Sequence, residues 1–191
     1  MTWDKYIKNN IVVQNDGDSG DSCQRTATYL FLNSILGDTS KVSVMFFEIQ
    51  SSLGRFRRSN DPKHWGFRPS NCSRDQVSIA RIAMAHTGYK KAFKKSYLNQ
   101  LLRLGFHQNF LKGTDDLDEK WRIPDIMSPG EVAILIRGMN LWVLWPLLIV
   151  LDLLRSFDVA FRNKNNWDQD NMLSQHLYYS VLKMPTLIGV S

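Results

Sequence analysis

Cysteine is scarce in this sequence. Cys23 and Cys72 are the only two among 191 residues, which is too few for a disulfide framework, and their spacing does not suit a metal cluster. The four histidines are dispersed without metal-ligand spacing. The sequence therefore excludes a disulfide-rich secreted scaffold and favours a reducing compartment.

The sequence also lacks the apolar core of a secretion signal at its start. The first ten residues read MTWDKYIKNN, in which three charged residues and two asparagines interrupt the apolar ones. We therefore expect a cytoplasmic protein.

The uninterrupted hydrophobic runs in this sequence are too short to span a membrane. The run LWVLWPLLIVL, Leu141 to Leu151, has eleven residues, whereas a spanning helix needs about 20. Extending it to Val132–Leu154 reaches that length but includes polar or helix-breaking residues that are costly in lipid: Arg137, Asn140, Pro146 and Asp152. We expect a buried core helix here, with membrane association as the alternative.

Strand patterns are rare, and helix patterns are frequent. Only YIKNNIVVQ near the start has a β-branched run, and no hairpin turn is expected there. Apolar residues recur at helical spacing in most of the remaining chain. The predicted helices are Ser22–Leu36, a second from Ser40 that is closed by Gly54, Ser73 to Gly88, Tyr89–Leu104, a run from Ser128 to about Phe161 that breaks at Gly138 and Pro146, and a last one after Asp168.

Helix boundaries predict antiparallel pairs. Short turns join the first two helices, and glycines stand where helices should end. SPGE at Ser128 to Glu131 has the residues of a capping box, and Ser73 with Gln76 forms a second candidate. We expect one all-α domain over residues 1–191, built from antiparallel helical hairpins with at most a short N-terminal extended segment, either as a bundle or as part of a larger toroid.

A faint repeat is the pattern expected of stacked hairpins, with coincidence of two three-residue strings as the alternative interpretation. CQR at Cys23 to Arg25 opens the first helix, and CSR at Cys72 to Arg74 opens the third. Repeats with periods of 20 to 50 residues are typical of stacked helical units. Parallel stacking would place both helix starts at one end of the molecule.

The loop NDGDSGDSCQR has the most unusual composition in the chain. Asp16, Asp18 and Asp21 alternate with glycines, and clustered carboxylates suit a calcium ion, although the terminal glutamate of an EF-hand is absent. No other cofactor is expected. Asp21 or Ser22 could instead cap the helix, since acids at a helix N-terminus are favoured by the helix dipole.

The same acids are candidates for catalysis. Two carboxylates at a controlled distance can hydrolyse a glycosidic bond, and tryptophan rings stack on sugars. The candidate catalytic residues are Asp18, Asp21 and Asp75, and the candidate substrate-binding residues are Arg25, Arg74, Trp65, Trp121 and Asp125.

Positive charge is concentrated in the middle of the chain. The net charge is +6, and the loop Arg55 to Arg68 interleaves arginines with Phe56, Trp65 and Phe67. Such a loop can contact phosphates and stack on bases. A solvated loop is the alternative interpretation.

The combination of NDGDSGDSCQR, SRDQ and WRIPD resembles poorly characterised bacterial and phage-encoded helical proteins. The hairpin layout is also similar to the (α/α) toroids of many carbohydrate-active enzymes, although such toroids have about twelve helices and this chain predicts about seven. The resemblance implies an architecture only.

Three functions follow as hypotheses. The first is a carbohydrate-binding or carbohydrate-active protein that uses aspartates at helix starts. The second is a non-enzymatic interaction protein, phage-related or bacterial, whose basic loop binds an anionic partner. The third is a membrane-associated helical protein.

Overall fold

The computed structural model describes residues 3–14, 20–67, 72–105, 127–151 and 153–154, and of Arg74 only the backbone. The described chain is predominantly helical, as the sequence predicts. Its main elements in chain order are β1 Ile7–Lys8, β2 Ile11–Val12, α1 Ser22–Ile35, α2 Val42–Ile49, α3 Arg74–His86, α4 Lys90–Leu102 and α5 Pro129–Gly138. Short 3-10 turns cover Trp3–Tyr6, Trp65–Phe67 and Trp142–Leu144.

The N-terminal extended segment is a small antiparallel hairpin. Ile7 pairs with Val12 and Lys8 with Ile11, and the linking residues Asn9 and Asn10 both have positive φ, 49° and 60°. Our expectation that no hairpin turn occurs here was wrong. Asparagine tolerates the left-handed conformation, so two successive asparagines form the turn that glycine more often supplies.

The helices form two antiparallel hairpins and a fifth helix. The turn between α1 and α2 contains Gly37, and the turn between α3 and α4 contains Gly88, each with φ above 70°. Both glycines stand where the sequence predicts a helix end. Helix α2 ends at Ile49, before Gly54 where we expected it to close, because the chain turns there into the loop that leads to α3.

Helix α3 is the centre of the fold, since it contacts α1, α4 and α5. Residues 75–85 are all buried. A helix that is buried on every side normally carries apolar residues, but α3 includes buried polar side chains: Asp75, Gln76, Ser78 and Arg81. These side chains therefore need partners within the protein.

The helical run after Ser128 divides into two parts. In α5 the side chains of Ala133, Ile134 and Ile136 are buried. The helix ends at Gly138, which packs against Phe93 of α4 and Ala85 of α3, so the predicted break is confirmed. Asn140 follows with φ 53° and redirects the chain.

The segment from Leu141 onward is not the buried core helix that we expected. Residues 145–151 are helical, with Pro146 in the first turn where it breaks no hydrogen bond. Leu148 and Leu151 are buried, whereas the other apolar side chains are exposed, including Trp142, Val143 and Ile149 at 66–70%. Asn140, with its positive φ, separates this segment from α5. Within the described part of the chain, no helix is both long and apolar enough to cross a membrane.

Candidate functional site

The first residues of α1 and α3 lie side by side. The Nε2 of Gln76 donates to the Gly20 carbonyl at 3.2 Å and to Oδ1 of Asp21 at 3.1 Å. The Sγ of Cys23 lies 4.0 Å from the Gln76 carbonyl oxygen. Both helix starts therefore stand at one end of the molecule, as the CQR and CSR strings predict.

Asp21 occupies the N-cap position of α1 but does not cap it. Its side chain accepts no hydrogen bond from the first turn, and its carboxylate instead accepts from Gln76 and lies 3.9 Å from Nη1 of Arg58. The side chain is 46% exposed. The carboxylate therefore joins three chain segments and remains accessible to a ligand.

The capping box that we predicted for Ser73 and Gln76 was wrong. Ser73 has the extended backbone of an N-cap, but no side-chain capping bond forms. The side-chain amide of Gln76 is used to hold the start of α1, because Gly20 and Asp21 present two acceptors there. The capping box at Ser128 is confirmed, with Ser128 Oγ accepting from the Glu131 amide and Glu131 Oε2 accepting from the Ser128 amide.

Asp75 lies beside this junction but is withdrawn from the surface. It is 6% exposed, and its Oδ1 accepts no hydrogen bond within the described ranges. Asp21 and Asp75 thus flank Gln76, one exposed and one buried. Only the exposed carboxylate can touch a ligand in this conformation.

Two free thiols lie beneath the same junction. Cys23 and Cys72 are both buried and reduced, and the Sγ of Cys72 lies 3.8 Å from Oε1 of Gln76. The hydrogen bond with Cys72 raises the pKa of the Cys23 thiol well above its usual value, and burial adds to the increase. Cys23 is therefore a protonated core residue and a poor nucleophile.

Trp65 covers the outer side of the junction. A Cβ at Gly20, where φ is 85°, would come within 2.5 Å of Cζ2 of Trp65, so the ring packs directly on the glycine backbone. The Arg58 guanidinium lies 5.3 Å from the ring centroid. Trp65 is nevertheless 50% exposed, and its ring can stack on a ligand beside Asp21.

The remaining predicted site residues are only partly described. Arg25 is half-buried in the first turn of α1, and its Nε has no hydrogen-bond partner within the ranges given above. Arg74 begins α3, but its side chain lies outside the description. Four of the candidates lie entirely outside the described residues: Asp16, Asp18, Trp121 and Asp125.

The calcium hypothesis therefore stays a prediction, since two of its three carboxylates are not described. Among the described residues, no group of three or more histidine, cysteine or acidic side chains could hold a metal ion.

The basic loop is described from Arg55 to Phe67, with Arg68 outside the described residues, and it lies against α4. Arg57 and Arg58 donate from their backbones to Ile49 and Gly66 at 2.9 Å, and the Arg57 guanidinium lies 4.9 Å from the Phe67 ring. The Nε2 of Gln50 donates to the Ala92 carbonyl at 3.1 Å. The loop and α4 thus form one surface, to which α4 contributes four exposed lysines: Lys90, Lys91, Lys94 and Lys95. We call residues 50–67 together with α4 the basic face.

Sequence reasoning missed the most buried charged group. Nη1 of Arg81 contacts Oε1 of Glu131 at 3.1 Å, with the two side chains 2% and 1% exposed. Arg81 also donates to the hydroxyl and the carbonyl of Ser96, each at 3.1 Å, and the Tyr97 hydroxyl donates to the Glu131 carbonyl at 2.6 Å. An arginine inside the apolar string VSIARIAMA was the signal for a buried ion pair.

Comparison with known proteins found no matching family model, no matching curated protein and no matching solved structure. The functions considered below therefore rest on the geometry and charge of the chain.

Proposed function

We propose that this protein binds single-stranded nucleic acid through the basic face. The observation that supports it most strongly is the charge of the basic face, because residues 50–67 and 90–102 include eight lysines and arginines and one acidic residue, Asp61. Such an imbalance attracts polyanions over distances of about 10 Å at 0.1 M salt.

The basic face also holds its cations in place. Arg57 and Arg58 lie over the rings of Phe67 and Trp65, which limits the side-chain entropy lost when they contact a phosphate. Trp65 offers a half-exposed ring at the edge of this surface. Stacking of a base on such a ring contributes about 1–3 kcal/mol and requires an unpaired strand.

Fluorescence anisotropy with labelled oligo(dT) over a series of salt concentrations tests the proposal. Lys91→Gln/Lys94→Gln removes two exposed charges from α4, and Lys5→Gln/Lys8→Gln removes two exposed charges near the N-terminal hairpin. Each phosphate contact contributes roughly 0.7 to the slope of log affinity against log salt. We expect the α4 variant to lower that slope by about 1.4 and the hairpin variant to leave it unchanged. Equal slopes in the two variants, or no binding by the wild type, would refute the proposal.

The role of Trp65 is tested separately. Trp65→Ala should weaken binding to oligo(dT) by roughly ten-fold or more and leave binding to duplex DNA almost unchanged. Trp142→Ala is a matched control, because Trp142 is 70% exposed outside the basic face. The same loss in both tryptophan variants would argue against stacking at Trp65.

A neutral carbohydrate is the second candidate ligand, and the position of Trp65 beside Asp21 favours it. A ring that stacks on a sugar next to a carboxylate that accepts hydrogen bonds from hydroxyls is a common arrangement for sugar binding. We propose binding here; cleavage by Asp21 together with Asp75 would also require Asp75, which is 6% exposed, to become accessible. If uncharged oligosaccharides change the tryptophan fluorescence of the wild type and not of Asp21→Asn, the carbohydrate proposal gains support. An unchanged response in Asp21→Asn would exclude this site.

The membrane hypothesis rests on another surface. The exposed apolar side chains from Leu141 to Leu154 suit contact with lipid in the plane of a bilayer. Sedimentation with anionic vesicles tests it, and Trp142→Ser should reduce co-sedimentation whereas Lys91→Gln/Lys94→Gln should reduce it much less. Vesicles that leave the wild type in the supernatant would remove this hypothesis.

A further inference from the structure

The two cysteines of the chain meet where α1 and α3 begin. Cys23 is the second residue of α1, and Cys72 stands two residues before α3. Both side chains are buried and reduced, and the two thiols share a hydrogen bond. Both sulfurs also contact Gln76, at 4.0 Å from its carbonyl oxygen and 3.8 Å from its Oε1. Two thiols that meet across a helix junction are placed to form a disulfide when they are oxidised.

Only one of the two thiols borders a small pocket. Cys72 lines a cavity of about 20 Å³ between the basic loop, α3 and α4, whereas Cys23 does not line it and is 0% exposed. Two other lining residues, Arg55 and Asn99, are only half-buried, so the pocket reaches the surface. A cavity of about 10–15 Å³ already admits one water molecule. One oxygen of a hydroperoxide can therefore enter the pocket and reach Cys72.

We propose that Cys23 and Cys72 are an oxidation site, at which a hydroperoxide that enters the pocket converts the thiol pair into a reversible disulfide. With hydrogen peroxide, the Cys72 sulfur attacks one oxygen, an S–O bond forms as the O–O bond breaks, and the products are a sulfenic acid and one water molecule. The Cys23 sulfur then displaces the remaining oxygen as a second water molecule, and the S–S bond forms. The thiols together lose two electrons and two protons, and the peroxide takes up both.

The surroundings of the two sulfurs assign their roles. The pKa of Cys23 is raised, so this thiol reacts poorly with an oxidant from solution. Its contact with Cys72 compensates in the second step, because that step takes place within the molecule. In a reducing compartment, disulfides of this kind are transient and belong to redox-sensing or catalytic pairs. The proposal does not depend on nucleic acid binding.

The disulfide would close a loop from Cys23 to Cys72. This loop contains most of α1, all of α2 and the described part of the basic loop. A cross-link stabilises a protein mainly by restricting the unfolded chain, and the effect grows with the length of the closed loop. Oxidation should therefore raise the Tm.

The first arm of the test uses the wild type. The folded protein is treated with hydrogen peroxide, its remaining thiols are alkylated, and the digest is mapped by mass spectrometry. We expect one peptide pair joined through Cys23 and Cys72, two hydrogen atoms lighter than the separate peptides and separated again by dithiothreitol. The oxidised protein should unfold roughly 5 °C or more above the reduced protein. Two remaining thiols, a disulfide between two molecules or an unchanged Tm would overturn the proposal.

The second arm separates the two thiols. Cys23→Ser should accumulate a sulfenic acid at Cys72 that dimedone traps, because no second thiol is present to displace the oxygen. Cys72→Ser should react with peroxide at least roughly ten-fold more slowly, because the remaining thiol lies away from the pocket. Circular dichroism checks that each variant keeps its helices, and the alanine variant at the same position replaces one that does not. Equal rates in the two variants would overturn the route through the pocket.

Discussion

Helix α3 buries two charged side chains six residues apart, and these two side chains differ in how completely their hydrogen bonds and charge are satisfied. Arg81, in the middle of the helix, has an ion pair with Glu131 and two hydrogen bonds to Ser96. Asp75, in the first turn, has an Oδ1 without a hydrogen-bond partner in the described part of the chain. Removing the partner of a paired buried charge is strongly destabilising, whereas an incompletely satisfied buried group marks a place where stability has not been maximised. The difference assigns Arg81 to the core and Asp75 to the helix junction beside the exposed Asp21 and Trp65.

The largest expected loss of stability comes from removing the Glu131 carboxylate that pairs with Arg81. Glu131→Gln leaves the arginine charge buried without its carboxylate and also weakens the capping box of α5, so we expect the free energy of unfolding to fall by roughly 3–5 kcal/mol. Urea denaturation measures it. The double variant Arg81→Met/Glu131→Gln is the control and should recover part of the loss, because no uncompensated cation remains. A loss below about 1 kcal/mol in the single variant would contradict a dry, paired core.

A smaller loss of stability is expected when the Tyr97 hydroxyl is removed. The ring of Tyr97 lies 3.8 Å from the Arg81 guanidinium. Burial raises the pKa of the Tyr97 hydroxyl well above its usual value. The folded state holds this proton more tightly than the unfolded state. The stability that the protonated hydroxyl contributes is therefore complete below about pH 10 and is lost as the pH rises beyond it. Tyr97→Phe should lower stability at pH 7 by about 1 kcal/mol.

The same variant should lose less stability than the wild type between about pH 9.5 and 11, as measured by urea midpoints across that range. Tyr6→Phe, at a half-buried position on the N-terminal 3-10 turn, is the matched control and should retain the wild-type pH profile. Parallel profiles for the wild type and Tyr97→Phe would show that the hydroxyl is not buried as described.

The smallest change in stability is expected from Asp75, the other buried charge of α3. Asp75→Asn removes a charge without breaking any hydrogen bond of its Oδ1, so stability should change by less than about 1 kcal/mol in either direction. The measurement is again urea denaturation at neutral pH. A loss comparable to that of Glu131→Gln would show that Asp75 has a strong partner, and the contrast between the two charges would disappear.

Helix positions followed from the sequence because they depend on local signals. The terminal glycines and the SPGE string specify where helices end or begin through short-range backbone preferences. The side-by-side position of the helix starts at Cys23 and Cys72 was also predicted from the repeated strings. The hairpin at Asn9 and Asn10 was missed because glycine is the more frequent signal for that turn.

Side-chain partners could not be predicted in the same way, because they depend on which helices meet. Gln76 has the sequence context of a capping residue, but its amide reaches a different helix. The partners of Arg81 come from residues 15 and 50 positions later in the chain. The exposure of the apolar segment after Leu141 likewise depends on which elements pack against it rather than on composition.

The Glu131 carboxylate joins the start of α5 to the buried charge of α3, and these two features are separate in most helical proteins. One carboxylate oxygen accepts the Ser128 amide at the start of α5, and the other neutralises Arg81 on α3. Helix α5 thus cannot fray from its first turn without exposing the arginine's charge to a dry interior. In hydrogen exchange, the first amides of α5, which in an ordinary helix exchange early by local fraying, should exchange together with the central amides of α3 as one cooperative unit.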